Sequence, residues 1–473
     1  MQVAHVRVLN HYLHTKFLFL GALEFVLLMC AVLIGIDVRN LWSDEFSQLY
    51  LELPEIQLFV FAFVMSCCSL AMGVYTSIFR EGLTGMLLRT IVAYFFLGTA
   101  SLTILYYIFP SIYLGRGVLA FAILFALVFV LVIRALFYKV VDLAQLSRNV
   151  VILGAGKTAR QLLDKVRPED ANLSFKIFGC VVCGEGEILV DEKIIINDPI
   201  DWAEFVKKEN ISEIVVAPDE RRRSEGGDIP TNALLDCKLR GIRVTEPMAF
   251  IERELLKIEV EMLRPSWALF ADGFVYSQFR DLMKRAFDLS VALFIFIFAW
   301  PFMLLTAIAV RLESVGPVFY KQVRIGLNGK EFPIYKFRSM TQDAEKDGKA
   351  VWATKNDARV TRVGSFIRNT RLDELPQLYN VFKGNMSFVG PRPERPQFVD
   401  ELKEVIPFYD ARHRVKPGLM GWAQLKYPYG ASVEDAQNKL KYDLYYVKNH
   451  SFFMDVLIVI QTVEVVLLGK GVH

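Results

Sequence analysis

Four apolar runs within the first 140 residues constrain this chain more than any other feature. They cover about 17–36, 55–79, 86–109 and 117–139. Each reaches roughly the ~20 residues that carry a helix across a hydrocarbon core of ~30 Å. Helix is the form that satisfies every backbone group within such a segment. A hydrophobic content of 53% and a mean hydropathy of +0.34 agree with a membrane protein. The first run starts at Phe17 and is followed by no A-x-A-like cleavage site, so it reads as a span and not a secretory leader. At 473 residues the chain has room for further domains beyond this bundle.

Loop charges orient the bundle. Arg7 and Lys16 precede it, the loop near Arg80 and Arg89 is basic, and Arg134, Lys139 and Arg148 end it. The loop after span one is acidic, with Asp37, Asp44, Glu45, Glu52 and Glu55 against Arg39. Arg116 runs against this pattern, but the balance places both ends of the bundle in the cytoplasm. Glu24 is the main ionisable group inside a span, and a helix–helix hydrogen bond is its expected role. Lys+Arg total 54 against 51 Asp+Glu; no nucleic-acid partner is expected. The six cysteines form no secreted disulfide pattern. Cys180-x-x-Cys183 has no second ligand pair after it, which favours packing over zinc.

Residues 149–250 change character. Asn149–Leu153 reads as a short buried strand, Gly154-Ala-Gly156-Lys-Thr-Ala159 as a glycine turn, and Arg160–Val166 as the start of a helix. Strand-like runs at 175–183, 190–196, 212–217 and 241–245 alternate with helical stretches at 201–209 and 231–239, the pattern of a parallel sheet. Gly154 and Gly156 match a G-x-G-x-x-A turn, whose N–H groups at a helix start can cradle a pyrophosphate. Val151 stands where a Walker A loop needs glycine, and Glu185 comes late for a ribose-binding acid. A structural or regulatory α/β domain is the favoured reading.

A fifth apolar run, 286–310, is long enough to span. Arg280, Lys284 and Arg285 precede it, and Arg311, Lys321 and Arg324 follow. Basic residues at both ends place both on one side, and Pro301 inside the run favours a break. These features predict a re-entrant membrane hairpin with its break at Pro301. The later apolar run 452–468 carries Asp455 and Glu464 and reads as a helix lying at the interface.

Residues 311–420 hold 20 Lys/Arg against 13 Asp/Glu, a surplus suited to anionic lipid and to phosphates. Within it, Arg368 and Arg371 precede the acid pair Asp373-Glu374, and Pro376 suits the first turn of a helix. A carboxylate pair near a helix start is ordinarily a cap. Among basic neighbours it also suits Mg²⁺ shared with substrate phosphates, or a nucleophile on phosphorus.

The module resembles the bacterial sugar transferase family, the monotopic polyprenyl-phosphate phosphoglycosyl transferases. The resemblance rests on Lys284-Arg-Ala-Phe-Asp288, Lys336-Phe-Arg338, Leu372-Asp-Glu-Leu-Pro-Gln377, Val389-Gly-Pro-Arg-Pro393, Lys416-Pro-Gly418 and Gly421-Trp-Ala-Gln424, in family order. The family's break is commonly Ser-Pro, and here it is Trp300-Pro301. The chain as a whole is similar to the long subgroup serving exopolysaccharide or O-antigen assembly, and Arg264–Phe270 looks like its exosortase-associated branch. The implied architecture is a four-span membrane α-helical bundle over 1–145, a Rossmann-like α/β domain over 146–265, and a mainly α catalytic module with re-entrant hairpin over 280–473.

The resemblance implies that Asp373 attacks the β-phosphate of a UDP-sugar, that UMP leaves, and that undecaprenyl phosphate then takes the sugar phosphate. It implies Mg²⁺ at Asp373 and Glu374, with Glu374 positioning the metal or a proton. Lys336, Arg338, Arg368 and Arg392 would contact phosphate, and Asp443 would join the site. Membrane lipid and a homodimer are the other implied partners, at a bacterial inner membrane with the catalytic module on the cytoplasmic face. Two other readings stay open: a membrane glycosyltransferase releasing UDP, and a non-catalytic sensor or scaffold.

Overall fold

The computed structural model describes residues 5–8, 11–41, 55–140, 147–166, 175–184, 187–220, 229–263, 277–341, 359–427, 430 and 432–467. The Arg264–Phe270 stretch, Glu185, Asp44, Glu45 and Glu52 lie outside these residues. The chain divides into two compact units, Met1–Phe250 and Ile251–His473.

The first unit opens with an antiparallel hairpin, β1 (His5–Val8) and β2 (His11–His14). Helices α1 (Thr15–Leu41), α2 (Glu55–Ala71), α3 (Val74–Val92), α4 (Thr99–Ile108) and α5 (Arg116–Val140) follow. Phe19–Leu41, Gly82–Ile108 and Arg116–Val140 are long and apolar enough to cross a membrane. The expected span over 55–79 is cut short. Gly73 adopts the left-handed conformation (φ 60°) and ends α2 at 17 residues, a rise of about 25 Å. Gly82 (φ 65°) breaks α3 again. A π-helical segment, Ala93–Gly98, joins α3 to α4, and a Cβ at Gly98 would collide with Met65 Sδ.

Glu24 is buried on α1 and pairs with buried Arg134 on α5, through Oε1–Nε at 2.6 Å and Oε2–NH2 at 2.7 Å. Tyr75 O–H donates to the same carboxylate, and Arg134 also donates to Thr90 Oγ1 and, at 3.3 Å, to Ser69 Oγ. This network ties four helices together. A charge in hydrocarbon is tolerated only when paired and hydrogen-bonded in this way.

The α/β part contains β3 (Arg148–Leu153), α6 (Lys157–Lys165), β4 (Phe175–Val181), β5 (Ile195–Ile196), α7 (Trp202–Lys208), β6 (Ile211–Val216), α8 (Thr231–Leu239) and β7 (Arg243–Thr245). The sheet is all parallel with order β5-β4-β3-β6-β7. Its central strands bury apolar side chains such as Val151, Leu153, Val181 and Ile214, as a sheet covered on both faces requires. Cys180 is buried in β4 and Cys183 packs against the same core. The expected strand 190–196 shrinks to two residues because the Asp191 side chain accepts from Lys193 N and starts a 3-10 turn, Glu192–Ile194.

The boundary between the two compact units falls inside α9 (Pro247–Leu255). The segment after Phe250 packs on the second unit: Trp422 Nε1 donates to Leu256 O at 2.9 Å, Ile258 N to Lys441 O at 3.0 Å, and Lys441 pairs with buried Glu259 at 2.9 Å.

Helix α10 (Gln278–Glu313) starts at a Ser277 cap and runs as one helical segment through Pro301, beyond the expected 286–310. Apolar side chains such as Phe294, Phe298, Leu304 and Ile308 are exposed along it. Both of its ends pack on the same body. Ala292 meets Phe332, Ile334 and Leu378, while Val310 meets Phe337 and Ile367. The body comprises the antiparallel pair β8 (Phe319–Ile325) and β9 (Glu331–Phe337), α11 (Arg362–Asn369), α12 (Leu378–Lys383), β10 (Ser387–Val389), α13 (Pro396–Val405), β11 (Gly418–Met420), α14 (Trp422–Lys426), α15 (Val433–Asn449) and α16 (Phe452–Leu467).

Candidate active site

The site forms where β9, the turn before α12 and the loop after β10 converge. One edge of β9 pairs with β8. Asn380, fully buried on α12, holds the other edge: its Nδ2 donates to Pro333 O at 2.7 Å, and Tyr335 N donates to its Oδ1 at 3.2 Å. Pro333 suits an edge position because it has no N–H to leave unpaired. Lys336 is the next residue, so Asn380 sets where its side chain starts.

The acid pair follows a sharp reversal. Arg371 takes a left-handed conformation (φ 60°) at the end of α11, and the chain enters a 3-10 turn, Leu372–Gln377. Pro376 sits inside that turn, and α12 begins only at Leu378. Asp373 and Glu374 therefore belong to a six-residue 3-10 turn and not to the first turn of an α-helix, so the α-helix dipole contributes less to the site than the sequence suggests.

The loop carrying Arg392 is fixed from beneath. Strands β10 and β11 pair in parallel, and Gly390 lies so close to Lys416 O that a Cβ there would collide. The first turns of α10 complete the support. Asp288 accepts from Ser387 Oγ and Phe388 N, both at 2.9 Å. Lys284 Nζ donates to Val389 O at 3.1 Å and to Asp455 at 2.6 Å, and Asp455 is buried on α16. Arg285 caps α12 by donating to Val381 O at 2.6 Å and Phe382 O at 2.7 Å.

Asp373, Glu374, Lys336 and Arg392 come together. Glu374 Oε1 accepts from Lys336 Nζ at 2.8 Å and from Arg392 NH2 at 2.7 Å. Asp373 is 7% exposed, and its carboxylate makes no hydrogen bond among the described residues. The two acids differ accordingly. Burial pushes the Asp373 carboxyl above its ordinary value, against the pull of Lys336. Glu374 is partly buried, and desolvation raises it too, but Arg392 and Lys336 outweigh that and hold it well below the carboxylate range. Neighbouring groups driven apart in this way take different chemical roles. For Lys336, burial lowers the ammonium's value despite Glu374.

The other expected residues lie elsewhere. Arg338 is buried and caps the end of α10, donating to Ser314 O at 2.7 Å, Ser314 Oγ at 2.9 Å and Val315 O at 3.1 Å. Both of its terminal nitrogens are used there. Asp443 is buried on α15 and pairs with Arg412 at 2.8 Å; Arg412 in turn donates to Tyr409 O–H at 2.8 Å and Arg392 O at 2.9 Å. Asp443 thus reaches the site only through Arg412 and the Arg392 backbone. Arg368 ends α11 with no side-chain hydrogen bond among the described residues. Pro301 lies within α10, and Gly154 and Gly156 lie in the first unit between β3 and α6. Sequence reasoning gave no role to Asn380 or Arg412. Lys284 and Asp288 stand in the sequence only as the ends of the motif Lys284-Arg-Ala-Phe-Asp288; their i,i+4 spacing puts both on one helix face.

A family described as bacterial sugar transferase matches residues 279–469, and one described as a CoA-binding domain matches 70–220. The chain is 49% identical over 189 residues to the UDP-N-acetylgalactosamine-undecaprenyl-phosphate N-acetylgalactosaminephosphotransferase of Aeromonas hydrophila, covering 40% of this chain and 44% of that protein. It is 42% identical over 194 residues to the UDP-glucose:undecaprenyl-phosphate glucose-1-phosphate transferase of Klebsiella pneumoniae, covering 41% and 42%. The match therefore spans less than half the length of these two relatives. It is also 42% identical over 196 residues to the uncharacterized sugar transferase EpsL of Bacillus subtilis, covering 41% of this chain and 91% of that one. With the acid pair, its two cations and the supporting loop all inside the matched region, the chain belongs to the bacterial sugar transferase family.

Proposed function

We propose that this protein moves a sugar 1-phosphate from a UDP-sugar to undecaprenyl phosphate and releases UMP, as an early membrane step of exopolysaccharide assembly. The observation that carries this is the division within the acid pair: Glu374 is held by two cations, and Asp373 is buried beside them with an open carboxylate. An Asp373 carboxylate oxygen attacks the β-phosphorus, the bond to the UMP oxygen breaks, and UMP leaves with the bonding electrons. An undecaprenyl phosphate oxygen then attacks the aspartyl phosphate and frees the carboxylate. Glu374 keeps Lys336 and Arg392 aimed at the place where the diphosphate charge lies. The two first-named relatives are transferases of this type by name.

Mg²⁺ fits this site as a guest shared with substrate. The described residues contain no cluster of three His, Cys, Asp or Glu, and Mg²⁺ usually takes one or two carboxylates and fills its shell with phosphate and water. Asp373 and the Oε2 of Glu374 would hold it, and when bound it would offset diphosphate charge.

Three further parts belong to this reading. The basic flanks of α10, and the packing of both its ends on one body, support a helix that bends at Pro301 and returns to the same face. That face is the cytoplasmic side of a bacterial inner membrane. The strand order β5-β4-β3-β6-β7, with the first strand central, supports a Rossmann-like sheet. A homodimer would give the bundle partners for its exposed apolar faces. The test is purified protein with Mg²⁺, undecaprenyl phosphate and a panel of UDP-sugars. UMP with a lipid-linked diphosphate sugar is expected; release of UDP, or no turnover with any sugar, overturns the proposal. A tag placed after His473 that is reached only from the periplasmic side overturns the bend.

A further inference from the structure

The glycine turn between β3 and α6 has the form of an anion cradle, and the family matching 70–220 is described as CoA-binding. The cradle is filled from within. Asp219, just beyond β6, accepts from Lys157 N at 2.7 Å and from Thr158 N at 2.6 Å, the first two N–H groups of α6. It approaches so closely that a Cβ at Gly156 would collide with its Oδ2. A glycine at this position ordinarily lets a pyrophosphate come near the backbone; here it admits a carboxylate of the same chain. Other groups of the turn are also spent: Gly154 N donates to Val181 O at 2.8 Å, and Leu189 N donates to Ala155 O at 2.9 Å. Burial raises the Asp219 carboxyl, but the hydrogen bonds from Thr158 and Lys157 outweigh it and hold it below the usual value. It is therefore charged at neutral pH and repels a second anion.

We propose that Asp219 is the resident occupant of this cradle, and that it excludes the diphosphate of coenzyme A or of a dinucleotide from the turn. The residues do not fit such a cofactor bound there. The domain holds its turn in an anion-bound form without any ligand. The inference is independent of the chemistry assigned to Asp373.

The test uses the full-length protein in detergent, titrated with inorganic pyrophosphate, coenzyme A and NAD. Wild type should show only weak binding, and no thermal stabilisation, with any of them. Asp219→Ala should bind pyrophosphate at least ~tenfold more tightly than wild type, a difference of about 1.4 kcal/mol, and recover thermal stability as it does so. Asp219→Asn, which keeps the shape and loses the charge, should fold and fall between the two. Hydrogen exchange provides a readout that needs no variant: the Lys157 and Thr158 amides should be protected in ligand-free wild type. Fast exchange at these amides, tight binding of coenzyme A or pyrophosphate by wild type, or no gain in either variant overturns the proposal.

Discussion

Lys336 Nζ lies 2.8 Å from Glu374 Oε1, and the neighbouring Asp373 makes no hydrogen bond among the described residues. Adjacent carboxylates are thus sorted into a held group and an open one. An open, buried carboxylate beside cations is suited to attack phosphorus. Asp373→Asn should lower UMP release by ~10³-fold or more with an unchanged thermal midpoint. A phospho-sugar adduct on Asp373, seen by mass spectrometry when the acceptor lipid is left out, should be missing from the variant. Substantial turnover by Asp373→Asn would remove it as nucleophile.

The same sorting sets a pH dependence. Burial holds the Asp373 carboxyl above its ordinary value, with Glu374 adding to the rise and Lys336 opposing it. The nucleophile must be ionised, so kcat/KM should fall on acidification through that raised value. Glu374→Gln removes a negative neighbour and frees the two cations, so the acid limb should move to lower pH. Lys336→Met removes a positive neighbour and should move it to higher pH. Profiles of both variants that move in the same direction would contradict this assignment.

Much of this was legible in the sequence because it rests on local chemistry. Asp373, Glu374, Lys336 and Arg392 stand in short motifs, and the glycine turn at Gly154 and Gly156 follows a buried strand. Arg338 and Asp443 take partners that the sequence does not name, for a shared reason: charge and motif do not say which partner a side chain takes. Arg338 is drawn to the bare carbonyls at the end of α10 and Asp443 to Arg412, tertiary pairings across 24 residues and more. The helix expected over 55–79 is shortened for a different reason. Hydropathy is blind to backbone conformation, and Gly73 in the left-handed region ends the helix inside an apolar run. Asn380 carries no charge, and its role exists only once α12 lies along β9.

Asn380 is testable by itself. It is fully buried, and its amide satisfies Pro333 O and Tyr335 N on the open edge of β9. Asn380→Leu strips both backbone groups of their partner at a cost of about 1–3 kcal/mol each. Because Lys336 follows Tyr335, turnover should drop even at temperatures where the variant is fully folded. Asn380→Asp keeps the acceptor for Tyr335 N and should retain more activity than Asn380→Leu. Equal activity in both variants would detach Asn380 from the positioning of Lys336.

In the membrane bundle, the relation to test is Glu24 with Arg134. Both are buried, and their bidentate pair is completed by Tyr75, Thr90 and Ser69. Removing one partner leaves a buried charge without its counter-ion, which costs about 3–5 kcal/mol in comparable pairs, whereas replacing both is often close to neutral. Arg134→Met should therefore lower the thermal midpoint of the detergent-solubilised protein markedly. Glu24→Gln combined with Arg134→Met should recover most of that loss, giving a large coupling in a double-mutant cycle. If the double variant is no more stable than Arg134→Met, the network does not act as a charge pair, and the helices are held by apolar packing.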